Sequence, residues 1–139
     1  MQKKPNAFVT ISRYILSVGF IFVGVLHFVR PEGFVAIVPP FLPAHLALVY
    51  ISGVFEILGG IGILVPRLRR YVIFGLIALV IAVFPANIYM FMHPEEFAKG
   101  WITPLALWIR MPLQPMLIWW LWAVRERSQI RRGEMKDEG

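Results

Sequence analysis

Residues 107–120, LWIRMPLQPMLIWW, decide how many times this chain crosses a membrane. The stretch is apolar enough for hydrocarbon, yet it holds Arg110 and Gln114 and is interrupted by Pro112 and Pro115. As a loop it would leave tryptophans and leucines in water. As a helix it places a permanent cation in lipid, which costs at least roughly 2.5 kcal/mol on insertion scales. The rest of the chain favours the helix. Of 139 residues, 58% are hydrophobic and 16% charged, more apolar side chain than a soluble domain of this size can hide. Apolar runs cover Phe8 to Val29, His45 to Val65, Tyr71 to Met92 and Leu105 to Val124. Each is close to the roughly 20 residues that cross a ~30 Å hydrocarbon core as a helix. The expected fold is all-α, a transmembrane four-helix up-down bundle forming one domain over 1–139.

Charge placement orients the bundle. Lys3, Lys4 and Arg13 precede or open the first run; Arg67, Arg69 and Arg70 lie between the second and third; Arg125, Arg127, Arg131 and Arg132 follow the fourth. In an up-down bundle all of these fall on one side, while the other side carries Arg30 with Glu32, and Lys99 with Glu95 and Glu96. The positive-inside rule then puts both termini in the cytoplasm, in a membrane read as the bacterial cytoplasmic (inner) membrane. No small-x-small cleavage site follows the first run, which is read as a retained span. The net charge of +6 is accounted for by these flanks, so the partner implied is the lipid bilayer and not nucleic acid. Tyr14, Tyr71, Trp119, Trp120 and Trp122 at the inner ends, with Trp101 and Trp108 at the outer end, are read as headgroup-depth anchors.

The chain has no cysteine, which excludes thiolate catalysis, disulfide exchange and iron–sulfur ligation. His27, His45 and His93 lack the spacing of a metal-ligand motif, so no metal site is expected. Glycines at 19, 24, 53, 59, 60, 62 and 75 are read as close-approach points between helices. The connection RPEGFVAIVPPFLPA, residues 30–44, is too apolar for open water and too proline-rich for one helix. It is expected to form an interfacial or re-entrant segment against the outer mouth of the bundle.

Six residues are of kinds that hydrocarbon rejects: His27, Ser52, Glu56, Asn87, Arg110 and Gln114. With a rise of about 1.5 Å per residue and alternating helix direction, all six fall in the outer half of the membrane, Glu56 nearest its middle. Ser52, Glu56 and Gly60 repeat at i, i+4 and i+8, and Arg110 and Gln114 are one turn apart if the last helix is continuous; if it begins at Pro112, Arg110 precedes its N-terminus. Pro85, Pro112 and Pro115 free the carbonyls of Ile81, Trp108 and Met111. The expectation is a polar pocket open to the outer side, in which Glu56 pairs with Arg110 and Ser52, Asn87 and Gln114 add hydrogen bonds.

The segments GVLHFVRPEGFVAIVPPFLP (24–43), ISGVFEILGGIGIL (51–64), VFPANIYM (83–90) and RMPLQP (110–115), in this order and followed by tryptophans, resemble the DoxX family of small four-helix membrane proteins. The resemblance runs from about Ile15 to Trp122. It places His27, Pro31, Pro39, Gly53, Glu56, Pro85, Asn87, Arg110, Pro112 and Gln114 at motif positions. It implies a subunit associated with thiosulfate:quinone oxidoreductase chemistry, oxidative stress or maturation of other proteins. The wider group is similar in fold to vitamin K epoxide reductase, whose thiol relay a cysteine-free chain cannot run.

Three functions follow as expectations. The first is binding of a quinone or another small lipophilic molecule as an accessory or electron-transfer subunit beside a membrane or soluble oxidoreductase partner, with Arg110, Gln114 and Asn87 on carbonyl oxygens and Glu56 or His27 handling protons. The second is a membrane assembly or maturation scaffold without catalysis, in which the polar cluster fixes helix register. The third is a small proton-coupled transporter with Glu56 as relay. A homo-oligomer is compatible with each.

Overall fold

The computed structural model describes residues 6–97 and 104–125. Among them are α1 (Ala7–Val29), α2 (Pro31–Val35), α3 (His45–Ile63), α4 (Arg69–Met92), α5 (Pro94–Phe97) and α6 (Pro104–Val124), with no strand. Lys3, Lys4, Lys99, Trp101, Arg127, Arg131 and Arg132 lie outside the described residues.

Local chemistry sets the helix ends. Asn6 starts α1 by accepting from the Phe8 amide at 3.2 Å, satisfying one of the amides a helix start leaves open. Pro31 stops α1, because the residue before a proline is pushed out of the helical region. Arg30 sits accordingly at φ −135°, ψ 65°, and Pro31 opens α2 as its first residue. α3 stops at Ile63, two residues before the end of its apolar run, and the Arg69 Nε donates to the freed Ile63 carbonyl at 2.6 Å. α4 continues through Pro85, and α6 runs unbroken through Pro112 and Pro115. The register is thereby fixed: α6 begins at Pro104, and Arg110 and Gln114 lie one turn apart on one helix.

α1, α3 and α4 are long and apolar enough to cross a membrane. Their outward faces agree with lipid as the solvent. On α1, Phe8, Ile11, Ile15, Val18, Phe22, Val25 and Val29 recur every three or four residues and all are exposed. The opposite stripe buries Ser12, Arg13, Ser17, Gly24 and His27. A soluble chain does not sustain an apolar stripe of this extent in water, whereas acyl chains accept it.

α3 packs on α1 and α4, and α6 packs on α4 and α1, so α3 and α6 stand as one diagonal. The α1–α3 seam is the most extensive, and glycine makes it so. A Cβ on Gly24 would lie 2.8 Å from the Gly53 carbonyl oxygen, and one on Gly60 would lie 2.7 Å from that of Ser17. Backbones this close allow the Ser17 hydroxyl to donate to the Gly60 carbonyl at 2.6 Å. Gly59 and Gly62 accept Leu76 and Val72 of α4 in the same way. Gly19 and Gly75 differ from expectation, because a Cβ there meets nothing within 4 Å; both border open volume.

The packed core is confined to one end. Leu16, Phe20, Ile63, Ile73, Leu76, Val80, Leu121 and Val124 form it, drawn from the middle of α1, the first half of α4 and the last turns of α3 and α6. At this end the Arg13 Nε donates to the Val124 carbonyl at 3.1 Å, tying α1 to α6. Arg13 is therefore more than the flanking charge expected from its position. It is a buried residue on the stripe that also carries Ser17 and Gly24, a periodicity visible in the sequence. The other end of the bundle is not filled.

Candidate functional site

That unfilled end holds a cavity of about 780 Å³ bounded by α1, α3, α4, α6 and the connection after α2. His27, Ser52, Glu56, Asn87, Arg110 and Gln114 all line it. The rest of the wall is apolar, with Leu16 and Phe20 from the core edge, Leu79, Val80 and Val83 from α4, and Trp120 from α6. Trp120, expected to anchor at headgroup depth, instead packs on the core and lines this interior space. Gly19 borders the same cavity, which accounts for the empty space at its missing Cβ.

Two polar groupings face each other across the cavity. On the α1–α3 wall the His27 Nδ1 lies 2.8 Å from the Val23 carbonyl and 3.2 Å from the Glu56 Oε2. A ring nitrogen has one hydrogen to give, and its shorter contact, one helical turn back, takes it. Glu56 Oε2 consequently sits beside the imidazole but has no hydrogen-bond partner while buried from the surface. Its nearness to His27 is electrostatic in kind. The donor assignment fixes the tautomer and leaves Nε2 as the second polar atom of the ring. Phe34 of α2 stacks on the imidazole at 3.8 Å between ring centres and 19° between planes.

On the α4–α6 wall the Arg110 Nη2 donates to Asn87 Oδ1 at 3.2 Å. Gln114, one turn further along α6, is buried, and its Oε1 finds no partner. The expected Glu56–Arg110 ion pair is not formed. Helix order gives the reason: Arg110 reaches its neighbour α4, while α3 lies diagonally opposite with the cavity between. Glu56 takes His27 of adjacent α1, made reachable by the glycine seam, since a Cβ on Gly53 would meet the His27 Cβ at 2.8 Å. Ser52 lines the cavity one turn from Glu56 on the same wall.

The connection RPEGFVAIVPPFLPA supplies part of the wall: Phe34, Ile37, Val38, Pro39, Phe41 and Leu42 all border the cavity, and Pro39 is fully buried. The sequence marked this segment as unsuited to water but did not reveal the Phe34–His27 stack. Of the other histidines, His93 ends α4, its Nδ1 3.0 Å from the Tyr89 carbonyl. Among the described residues no three histidines or carboxylates meet in a cluster that would hold a metal ion.

Such a site offers donors (Arg110 and the Asn87 and Gln114 amides) on one wall and a carboxyl with an imidazole on the other, joined by apolar surface. Two buried acceptors, Glu56 Oε2 and Gln114 Oε1, stand unsatisfied, a situation folded proteins seldom leave without a compensating occupant or water.

Residues 16–125 match the model of a family described as a domain of unknown function, DUF8561. The chain belongs to the DUF8561 family. The matched span contains α6 and all six cavity-lining polar residues, so the site described lies within the family domain. No curated protein and no solved structure matches the chain.

Proposed function

We propose that this DUF8561 protein is a DoxX-like four-span membrane protein whose cavity binds a quinone, or another small lipophilic molecule with a polar head, as an accessory or electron-transfer subunit. The observation that carries the reading is the wall chemistry: about 780 Å³ of mostly apolar space with two polar groupings on opposite sides. Binding sites for small lipophiles have this composition, apolar volume for the body and a few placed polar groups for orientation. Arg110, Asn87 and Gln114 would donate to one carbonyl oxygen of a ring. Glu56 and His27 face the other and would exchange protons with it.

α6 serves as the fourth span. Its 21 residues reach about 31 Å as a helix, the thickness of the hydrocarbon core. Arg13, Arg67, Arg69, Arg70 and Arg125 gather at the packed end, and Glu32, Glu95 and Glu96 at the cavity end. The positive-inside rule then turns the cavity outward, with both termini on the cytoplasmic side of a bacterial inner membrane. The proline-rich connection lies at the outer interface as its roof.

A titration tests the reading. Trp120 lines the cavity, so a short-chain quinone added to purified protein should quench tryptophan emission saturably, with weaker quenching for Trp120→Phe and weaker binding for Arg110→Leu. Linear, unsaturable quenching identical in all three would count against it. A scaffold role is favoured by one observation, the Arg110–Asn87 bond, which holds α4 to α6 whether or not the cavity is filled. That role predicts a co-purifying partner protein and tolerance of Glu56→Gln.

A further inference from the structure

The basic end of the bundle carries a second arrangement, independent of the cavity. Arg13 of α1 and Arg69 of α4 each use Nε on a helix-terminal carbonyl, Val124 and Ile63 respectively. A guanidinium has five N–H donors, and the described residues give the remaining ones on these two no acceptor. Arg69 is half-buried and Arg13 buried. Four acids fall within the described residues. Glu32, Glu95 and Glu96 lie at the far end and Glu56 in the cavity. The two residues that anchor the arginines, Val124 and Ile63, belong to the same buried cluster. Two like charges anchored by their stems, with no carboxylate beside them among the described residues, suit an anion.

What that anion is attached to follows from the surface beside Arg69. Starting at Val72, one turn along α4, a groove of about 370 Å³ runs between α3 and α4 past Gly75 and Leu79 to Ala82. Only apolar residues line it, with Phe55, Leu58 and Gly59 on the α3 side. Gly75 keeps it open, since a Cβ there meets nothing within 4 Å. The groove begins where Arg69 is tied to the end of α3. Cation above and apolar slot below is the outline of a lipid standing in a leaflet.

We propose that Arg69, with Arg13, and the α3–α4 groove form a specific site for one anionic phospholipid, its phosphate held by the guanidinium forks and an acyl chain laid along Val72, Gly75 and Leu79. Guanidinium suits this work because it grips phosphate oxygens in pairs, and basic pockets between helix ends are known to select anionic headgroups. The site differs from the general attraction of a basic flank to an acidic leaflet. It depends on particular arginines and on an acyl slot.

Native mass spectrometry of the full chain in mild detergent, with phosphatidylglycerol or phosphatidylcholine added, tests the site. Wild type should retain one phosphatidylglycerol in preference to phosphatidylcholine. Arg69→Gln should lower that preference roughly fivefold, the contribution of one basic side chain at an anionic surface. Gly75→Leu fills the slot without touching a charge and should lower retention of the same lipid. Arg67→Gln and Arg70→Gln, exposed neighbours with the same charge change, should leave it intact. Equal retention of the two lipids by wild type would overturn the proposal. So would equal losses from all three arginine variants, or thermal stabilisation by inorganic phosphate matching that by phosphatidylglycerol, which would make the slot idle. Should Arg69→Gln fail to fold, Gly75→Leu and the wild-type lipid preference still decide.

Discussion

Gly19 and Gly24, five residues apart on α1, should respond oppositely to the same substitution. At Gly19 an added methyl meets nothing within 4 Å, so Gly19→Ala gains only helix propensity, about 1 kcal/mol at most. At Gly24 the same methyl arrives 2.8 Å from the Gly53 carbonyl oxygen and 2.7 Å from Ile57 Cγ1. The side chain can turn away, but the carbonyl belongs to α3 and cannot. The helices must part until 2.8 Å becomes the 3.4 Å at which ordinary contact begins. Overpacking of this kind costs typically 1–3 kcal/mol. Separation also lengthens the Ser17–Gly60 hydrogen bond from its 2.6 Å, at a further fraction of the roughly 0.5–1.5 kcal/mol such a bond contributes. Net of propensity, Gly24→Ala should be about 1–3 kcal/mol less stable than wild type, and Gly19→Ala equal or slightly more stable. Unfolding both in mixed micelles by titrating a denaturing detergent, followed by circular dichroism, measures the difference. Equal stability of the two variants would refute the claim that the α1–α3 seam is set by backbone contact at glycine.

Other consequences are smaller or more local. Ser17→Ala should destabilise by about 1 kcal/mol, because it orphans a buried carbonyl, read in the same unfolding assay. A double-mutant cycle of Arg110→Leu with Asn87→Leu should show coupling of about 0.6 kcal/mol or more, the usual size of an interhelical hydrogen bond in a membrane; Arg110→Leu with Glu56→Gln should show coupling near zero. Phe34→Ala removes the ring stacked on His27, a contact of about 0.5–1.5 kcal/mol. Its effect should appear as weaker quinone quenching with little change in unfolding.

Much of this organisation is legible in the sequence, and the parts that are not share a cause. The long helices begin and end within two residues of the apolar runs, since hydrophobic length and prolines act locally. The six polar residues could be grouped because depth follows from counting residues along a helix, and all six line one cavity. Which of them touch could not be counted. Glu56 meets His27 and Arg110 meets Asn87 because α3 neighbours α1 and α6 neighbours α4, a matter of lateral order on which the sequence is silent. The same blindness misassigned Trp120, whose place near a helix end suggests a headgroup anchor although its ring turns inward. Gly19 and Gly75 look like packing glycines, but the space beside each is open, onto the cavity and the α3–α4 groove respectively. Arg13 is a different case: its charge suggests a flank, although the helical stripe it shares with Ser17, Gly24 and His27 marks it as inward-facing.

The proposed role of the cavity lined by polar side chains from four helices is to hold a lipophilic molecule. An inventory of what wild type and Gly19→Leu retain after gentle detergent extraction, by organic extraction and mass spectrometry, measures it. Leucine at position 19 projects into the cavity where a Cβ meets nothing. A polar-headed lipophile is expected at about one per wild-type chain, lost from a Gly19→Leu protein that unfolds no more easily. Bulk phospholipid alone on the wild type, or the same molecule retained at the same level by both proteins, would contradict it.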